Sequence, residues 1–167
     1  MAIIKSADGI EIRLGVKPTL AEETAGENIV SKAELDIQMM IAEYLTLRYP
    51  GVIFRSDLGG IRLNMGQAMQ VKRLQGSNGR GFPDFMVCAA RHGYHGLFGE
   101  IKTSADEVYK KAGGIRQDTH TQEQYRVLCR LCDAGYLAGF WFGFDEARRI
   151  IDVYLGGPNG QTKTNDR

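Results

Sequence analysis

Two short apolar segments of this chain each carry an acid where a buried strand ordinarily carries a hydrophobe. They are Gly81-Phe82-Pro83-Asp84-Phe85 and Leu97-Phe98-Gly99-Glu100-Ile101-Lys102-Thr103. The first reads as a strand from Asp84 to Ala89 and the second as a strand from Leu97 to Thr103, joined by a turn over 91–96. On a strand, alternate side chains share a face, so Glu100 and Lys102 point one way and Ile101 the other. A carboxylate among apolar neighbours is costly unless it is paired or bound to a cation. The fold must therefore bring the two acids to neighbouring strand ends, where other elements can supply partners.

Two carboxylates at adjacent strand ends make a hard oxygen site suited to a divalent cation. A lysine beside that ion can stabilise an attacking hydroxide or charge developing on phosphorus. These residue types point to phosphodiester hydrolysis. Two blander readings compete with it. Asp84 after Pro83 has the form of a turn aspartate, and Glu100 with Lys102 has the form of a salt bridge on an exposed strand face.

The flanking sequence supplies helices on either side. Ser31 reads as an N-cap with Glu34 at the capping-box position. Ile37, Met40, Ile41, Tyr44, Leu45 and Leu47 then recur at helical spacing until Pro50-Gly51. Val52 to Ser56 reads as the first strand of the main sheet. The glycine-rich, basic stretch from Gly59 to Arg80 reads as a long loop or ribbon, with a strand through Ala68 to Leu74. After a polar stretch over 105–118, Thr121 opens a second helix with Gln124 at its capping-box position, running to Ala134 and stopped by Gly135. Leu137 to Phe142 is the last core strand, and Asp145 caps a final helix from Glu146 to Tyr154. Near the start, Ile3 to Lys5 and Ile10 to Leu14 flank Asp8-Gly9 as a small hairpin. The expected organisation is a hairpin and arm over 1–30, one domain over 31–155, and a flexible tail over 156–167. The order helix, strand, strand, strand, helix, strand, helix predicts an α/β core: a mixed central sheet of about four strands flanked by helices.

Composition removes several classes. Of 167 residues, 43% are hydrophobic and 25% charged, as in a soluble globular domain. No apolar run approaches a membrane span and no signal-peptide core opens the chain, so the expectation is a cytoplasmic protein without a membrane partner. The net charge of +1 is no global signature of nucleic-acid binding. The local charge differs: between Arg55 and Arg91, the bases Arg55, Arg62, Lys72, Arg73, Arg80 and Arg91 meet only Asp57 and Asp84. Phosphate contacts fit that excess, and Lys110, Lys111 and Arg116 extend the same rim. Tyr94 and Tyr109 are candidates for base stacking but read better as packing residues. Cys129 and Cys132 form a C-x-x-C, and His92 and His95 an H-x-x-H, which suggests zinc. Both cysteines fall on an amphipathic helix beside Val127, Leu128 and Leu131, so they read as small hydrophobes with reduced thiols, and no zinc is expected.

The Pro-Asp followed by Glu-x-Lys resembles the PD-(D/E)xK nuclease superfamily with its restriction-endonuclease-like core. The wider pattern resembles its virus-type replication-repair nuclease family, VRR-NUC. The matching pieces are Glu34-Leu35-Asp36-Ile37-Gln38 with Tyr44-Leu45, Arg80 to Phe85, Gly96 to Lys102, Thr121-Gln122-Glu123-Gln124, Leu131 with Gly135-Tyr136, and Gly143 to Ala147 with Ile151 and Tyr154-Leu155. They cover about Glu34 to Leu155, and the size resembles the stand-alone phage and bacterial members. The resemblance implies that Asp84, Glu100 and the backbone carbonyl of Ile101 hold Mg²⁺ or Mn²⁺, with Glu34 completing the cluster. It implies that Lys102 orients the attacking water and that Gln124 holds that water or the lysine. It further implies a homodimeric DNA endonuclease of a bacterial or phage-infected cell, selective for branched DNA such as four-way junctions, with Arg55, Arg62, Lys72, Arg73 and Arg80 on the DNA. An exonuclease or restriction-type enzyme on the same fold, or a catalytically idle DNA-binding module, are the alternatives.

Overall fold

Leu137–Phe142 is an unbroken apolar run and Leu97–Lys102 is apolar but for Glu100 and Lys102, the pattern of strands covered on both faces. In the computed structural model, which describes residues 2–5, 11–14, 32–57, 64–75 and 81–156, they are the two inner strands of the core. In chain order the elements are β1 (Ala2–Lys5), β2 (Glu11–Leu14), α1 (Lys32–Arg48), β3 (Phe54–Ser56), α2 (Met65–Gln75), β4 (Phe85–Val87) and β5 (Leu97–Lys102). After a 3-10 turn (Ala105–Glu107) come α3 (Thr119–Asp133), β6 (Leu137–Phe142) and α4 (Gly143–Leu155). The main sheet has the order β3-β4-β5-β6. β3–β4 and β4–β5 are antiparallel, and β5–β6 is parallel in register from Leu97↔Leu137 to Lys102↔Phe142. Parallel neighbours need a crossover, which α3 provides. The fold is thus α/β with a mixed four-stranded sheet between helices, as the order of elements predicts. β1 and β2 pair antiparallel as the expected hairpin, which lies against β6 and α4.

Alternation along the strands makes two cores. Leu97, Ile101, Leu137 and Trp141 pack with Phe85 and Val87 under α1 and α4. Phe98, Ala138 and Phe140 pack under Tyr125 and Leu128 of α3 on the other face. Tyr44 of α1 and Tyr49, just past its end, both donate to Asp152 of α4, at 2.5 and 2.7 Å, joining the two helices of the first layer. Burial, reinforced by the Asp152 carboxylate, pushes the Tyr44 hydroxyl up to about 12.

Gly99 sits opposite Gly139 in the sheet, and a Cβ there would run into the Trp141 indole. Trp141 is fully buried and has no room to withdraw. Gly99→Ala is therefore expected to cost about 1–3 kcal/mol as an overpacked core. Urea unfolding measures it, and a wild-type midpoint would rule out the clash.

Four local readings are corrected. Residues 68–74 are not a strand but part of α2. Asn64 caps that helix reciprocally: Asn64 Oδ1 accepts from the Gln67 amide at 2.9 Å, and the Asn64 amide donates to Gln67 Oε1 at 3.0 Å. Met, Gln, Ala, Leu, Lys and Arg are all good helix formers, which favours helix once that cap exists. The cap of α3 is Asp118, not Thr121. Its side chain accepts from the Thr121 amide, which frees Gln124 from capping. α4 starts at Gly143 with Phe142 at the N-cap, and Asp145 lies in its first turn. In α1 the buried stripe is Glu34, Gln38, Ile41 and Leu45, while Met40 and Leu47 are exposed. Ser31, the Asp8-Gly9 turn and the tail from 157 to 167 lie outside the described residues, as do Arg62 and Arg80.

Candidate active site

The sheet brings the acids together through register. Phe85 pairs with Gly99, so the antiparallel ladder continued by one residue sets Asp84 beside Glu100. Asp84 Oδ2 accepts from the Ile101 amide at 2.9 Å, which fixes its carboxyl at the mouth of β5. Thus at Ile101 it is the amide that meets Asp84. Glu100 is buried at 2% exposure, and Asp84 is partly buried.

Lys102 shares the face of Glu100, as the strand period requires. Its Nζ donates to Glu100 Oε1 and to Glu34 Oε1, each at 3.1 Å. The Glu100–Lys102 salt bridge is therefore real, but it is buried and bridged to a third acid rather than lying on an exposed face. Glu34 enters from the first turn of α1. From the opposite layer, Gln124 of α3 donates its Nε2 to Glu100 Oε1. Glu34, Asp84, Glu100, Lys102 and Gln124 thus converge from α1, β5, α3 and the residue just before β4.

Glycine makes the last approach possible. Gly81 has φ 73°, and a Cβ there would lie 2.8 Å from the Gln124 backbone nitrogen. The segment leading into Pro83-Asp84 is therefore pressed onto the α3 backbone at Gln124, a contact only glycine permits.

Electrostatics follow from burial. Desolvation, then the neighbouring Asp84 carboxylate, holds Glu100 well above the ordinary carboxylate range despite Lys102. Burial also raises Asp84, against the Ile101 amide and Lys102. For Lys102 burial acts downward, but Glu100 and Glu34 together outweigh it and its pKa rises. Two like charges side by side with one shared counter-ion give this pattern.

Four further residues adjoin members of this cluster in the chain or in space. Gln38, one helical turn after Glu34, is buried, and its Oε1 accepts from Ser56 Oγ at 3.0 Å. The next residue, Asp57, donates its amide to the Asp84 carbonyl at 2.7 Å, so α1 is tied to Asp84 through the end of β3. His120 precedes Gln124 by one turn of α3. Burial, then the charge of Lys102, lowers its pKa. Phe82 stands two residues before Asp84 and is 46% exposed. Helical i, i+4 spacing could have flagged Gln38 and His120, but nothing in the sequence marks Phe82 as exposed.

Among the described residues, no group of three or more His, Cys, Asp and Glu is placed to hold a metal ion. The acidic pair nonetheless suits a hard cation that keeps most of its own water. Glu100 Oε2 and Gln124 Oε1 are both buried without a hydrogen-bond donor or partner, an expensive state that a hydrated cation would relieve. Cys129 and Cys132 lie partly buried in the α3 core cluster, and Cys132 Sγ contacts the Ala138 carbonyl at 3.5 Å. His92 and His95 are exposed, with His95 edge-on to Tyr136. Arg55 is exposed on β3, and Lys72 and Arg73 are exposed in the last turn of α2. Tyr94 packs on the first core, and Tyr109 packs against Phe142 at 5.8 Å.

Fold and site together define an α/β protein with a buried acid–lysine–glutamine cluster at the ends of its strands. No family model matches the chain, and no curated protein matches it. Among solved structures, a VRR_NUC domain protein is similar at 20% identity and a TM-score of 0.48, over 78% of this chain and 98% of that one. Any functional reading therefore rests on this chain's own residues. No described helix is long and apolar enough to cross a membrane.

Proposed function

We propose that this chain is a divalent-metal-dependent nuclease that hydrolyses DNA phosphodiesters. The observation that carries the reading is the Asp84–Glu100 pair, set side by side by strand register, with Lys102 buried between Glu100 and Glu34. Asp84 and Glu100 would hold Mg²⁺ or Mn²⁺, with Glu34 and the Ile101 carbonyl as further oxygen ligands. Such an ion supplies Lewis acidity toward a phosphoryl oxygen and lowers the pKa of water. Lys102, fixed by two carboxylates, is a preorganised positive charge for the transition state. Gln124 Oε1 can accept a hydrogen bond from an attacking water and so orient it, while its Nε2 stays on Glu100.

Branched DNA and a two-fold dimer are the finer form of the proposal, carried by the motif resemblance. Two symmetry-related sites suit a symmetric junction. A cleavage panel of four-way junctions, flaps, linear duplex and single strands, with Mg²⁺, Mn²⁺ or chelator, tests the whole. Cutting in chelator overturns the metal, and equal cutting of linear duplex overturns structure selectivity. Light scattering tests the dimer.

The exposed bases give a separable prediction. Lys72→Gln with Arg73→Gln is expected to weaken DNA binding and lower the salt slope by about 2, roughly one per lost phosphate contact. Anisotropy titrations from 50 to 200 mM salt read it, and an unchanged slope removes these residues from the DNA path.

A further inference from the structure

Phe82 is the one Phe, Tyr or Trp among the described residues that is exposed. Its position is rigid. Its ring stands edge-on to Phe98 at 5.9 Å and 89°, and Phe98 is itself wedged edge-on to Tyr136 at 5.1 Å. On one side Gly81 is pinned against α3, and on the other Pro83 is buried, with its φ fixed by the ring. A half-exposed aromatic on so firm a mount has little to gain as packing.

Its surroundings suit a nucleic acid. Phe98 and Glu100 share one face of β5, so Phe82 is joined to the acidic centre across the sheet as well as along the chain. Arg55 pairs with Met86, and Met86 with Phe98, so the three form a cross-strand row on that face, with the exposed cation at its open end. The Cα atoms of Phe82 and Asp84 are at most about 7 Å apart, two residues of extended chain. That is about two base steps at ~3.4 Å of rise each.

We propose that Phe82 is a nucleobase-stacking subsite, taking an unpaired base next to the phosphate held at Asp84 and Glu100. The inference rests on the nuclease reading and sharpens it. Every base has a face for an aromatic ring, but a base within intact duplex is already stacked, so the subsite selects DNA that presents an unpaired base beside the cut. Single strands and flaps do so, and a four-way junction does where a pair opens at the branch; linear duplex does not.

Phe82→Trp in the full chain tests stacking directly. The natural tryptophan, Trp141, is fully buried, so a second indole at this position reports its own surroundings. The Glu100→Gln background keeps the DNA intact. A labelled oligothymidine strand is expected to quench the new emission strongly. A strand with abasic sites is expected to bind by anisotropy and leave the emission unchanged. Equal quenching by both strands, or binding with no quenching, overturns the stacking subsite while leaving the nuclease reading in place. If neither strand nor any duplex binds, the nuclease reading fails and takes the subsite with it. Phe82→Leu, which keeps an apolar group on Phe98, is expected to bind the single strand about 10-fold more weakly, the scale of one lost base–aromatic stack, with duplex binding unchanged. Equal effects on both DNAs, or none, overturn the proposal.

Discussion

Glu100→Gln is expected to lower cleavage by about 10³-fold or more, the scale lost when a charge-organising group leaves a reacting site, and at the same time to raise the stability of the metal-free protein. The two effects have one cause. Glu100 is buried, and burial and Asp84 hold its pKa well above the ordinary 4.5. A carboxyl raised in the folded state contributes stability that is fully present below its unfolded pKa and lost as pH rises through the folded value. Once pH exceeds the folded value, the fold therefore carries the cost of charge at this position. A glutamine keeps the shape, keeps an oxygen for Gln124 and Lys102, and offers its amide toward Asp84. The expected gain is about 0.5–2 kcal/mol, the usual range when a functional group is replaced by a better structural one. Unfolding at pH 5 and pH 8 reads the sign: wild-type stability falls between them more than the variant's does. Mg²⁺ is expected to raise the wild-type melting temperature at pH 8 and to have little effect on the variant. A variant less stable than wild type at pH 8 would refute the electrostatic account of Glu100, and a fully active one would remove it from the site.

The legible parts of this molecule are those where local pattern and burial agree. β6 is a continuous apolar run, and the structure begins and ends it where the sequence does; β5 is apolar but for Glu100 and Lys102. Glu100 and Lys102 were legible for the same reason, since strand alternation alone puts them on one face. α2 was not legible, because its apolar residues face water: Met65, Met69 and Leu74 are 84%, 62% and 87% exposed. A helix that buries no stripe leaves no helical period to read, and flanking glycines pull the reading toward loop. Its one true signal was the Asn64-x-x-Gln67 cap. The α3 cap shows a related ambiguity. Asp118 and Thr121 are three apart and each suits an N-cap, and the choice decides whether Gln124 is a capping residue or free to reach Glu100. Only the geometry shows Glu34 and Gln38 as the polar end of a buried stripe whose apolar end is Ile41 and Leu45.

Lys102→Met carries the second large effect, and with the opposite sign for stability. Methionine matches the apolar stem of lysine and adds no charge, so lost packing contributes little. What disappears is the cation between Glu34 and Glu100, whose Nζ donates to each at 3.1 Å inside a buried cluster. Removing one partner of a buried ion pair typically costs about 3–5 kcal/mol, because the other charge stays behind. The loss must depend on pH. Lys102, raised by its two carboxylates, contributes stability below its unfolded value of 10.5, lost only as pH climbs through the folded one. In acid, as the raised Glu100 takes up its proton, the carboxylate no longer needs a counter-charge, so the deficit of Lys102→Met shrinks as pH falls. Adding Glu100→Gln should restore much of the stability at pH 8, so that the double variant unfolds at higher urea than Lys102→Met alone. Cleavage should not return with it. Lys102 is expected to be worth about 10²–10³-fold in rate as a fixed charge at the transition state, and the double variant lacks both the lysine and the acid. A deficit independent of pH, or a double variant no more stable than the single, would mean that the cluster is held by packing and not by its charges.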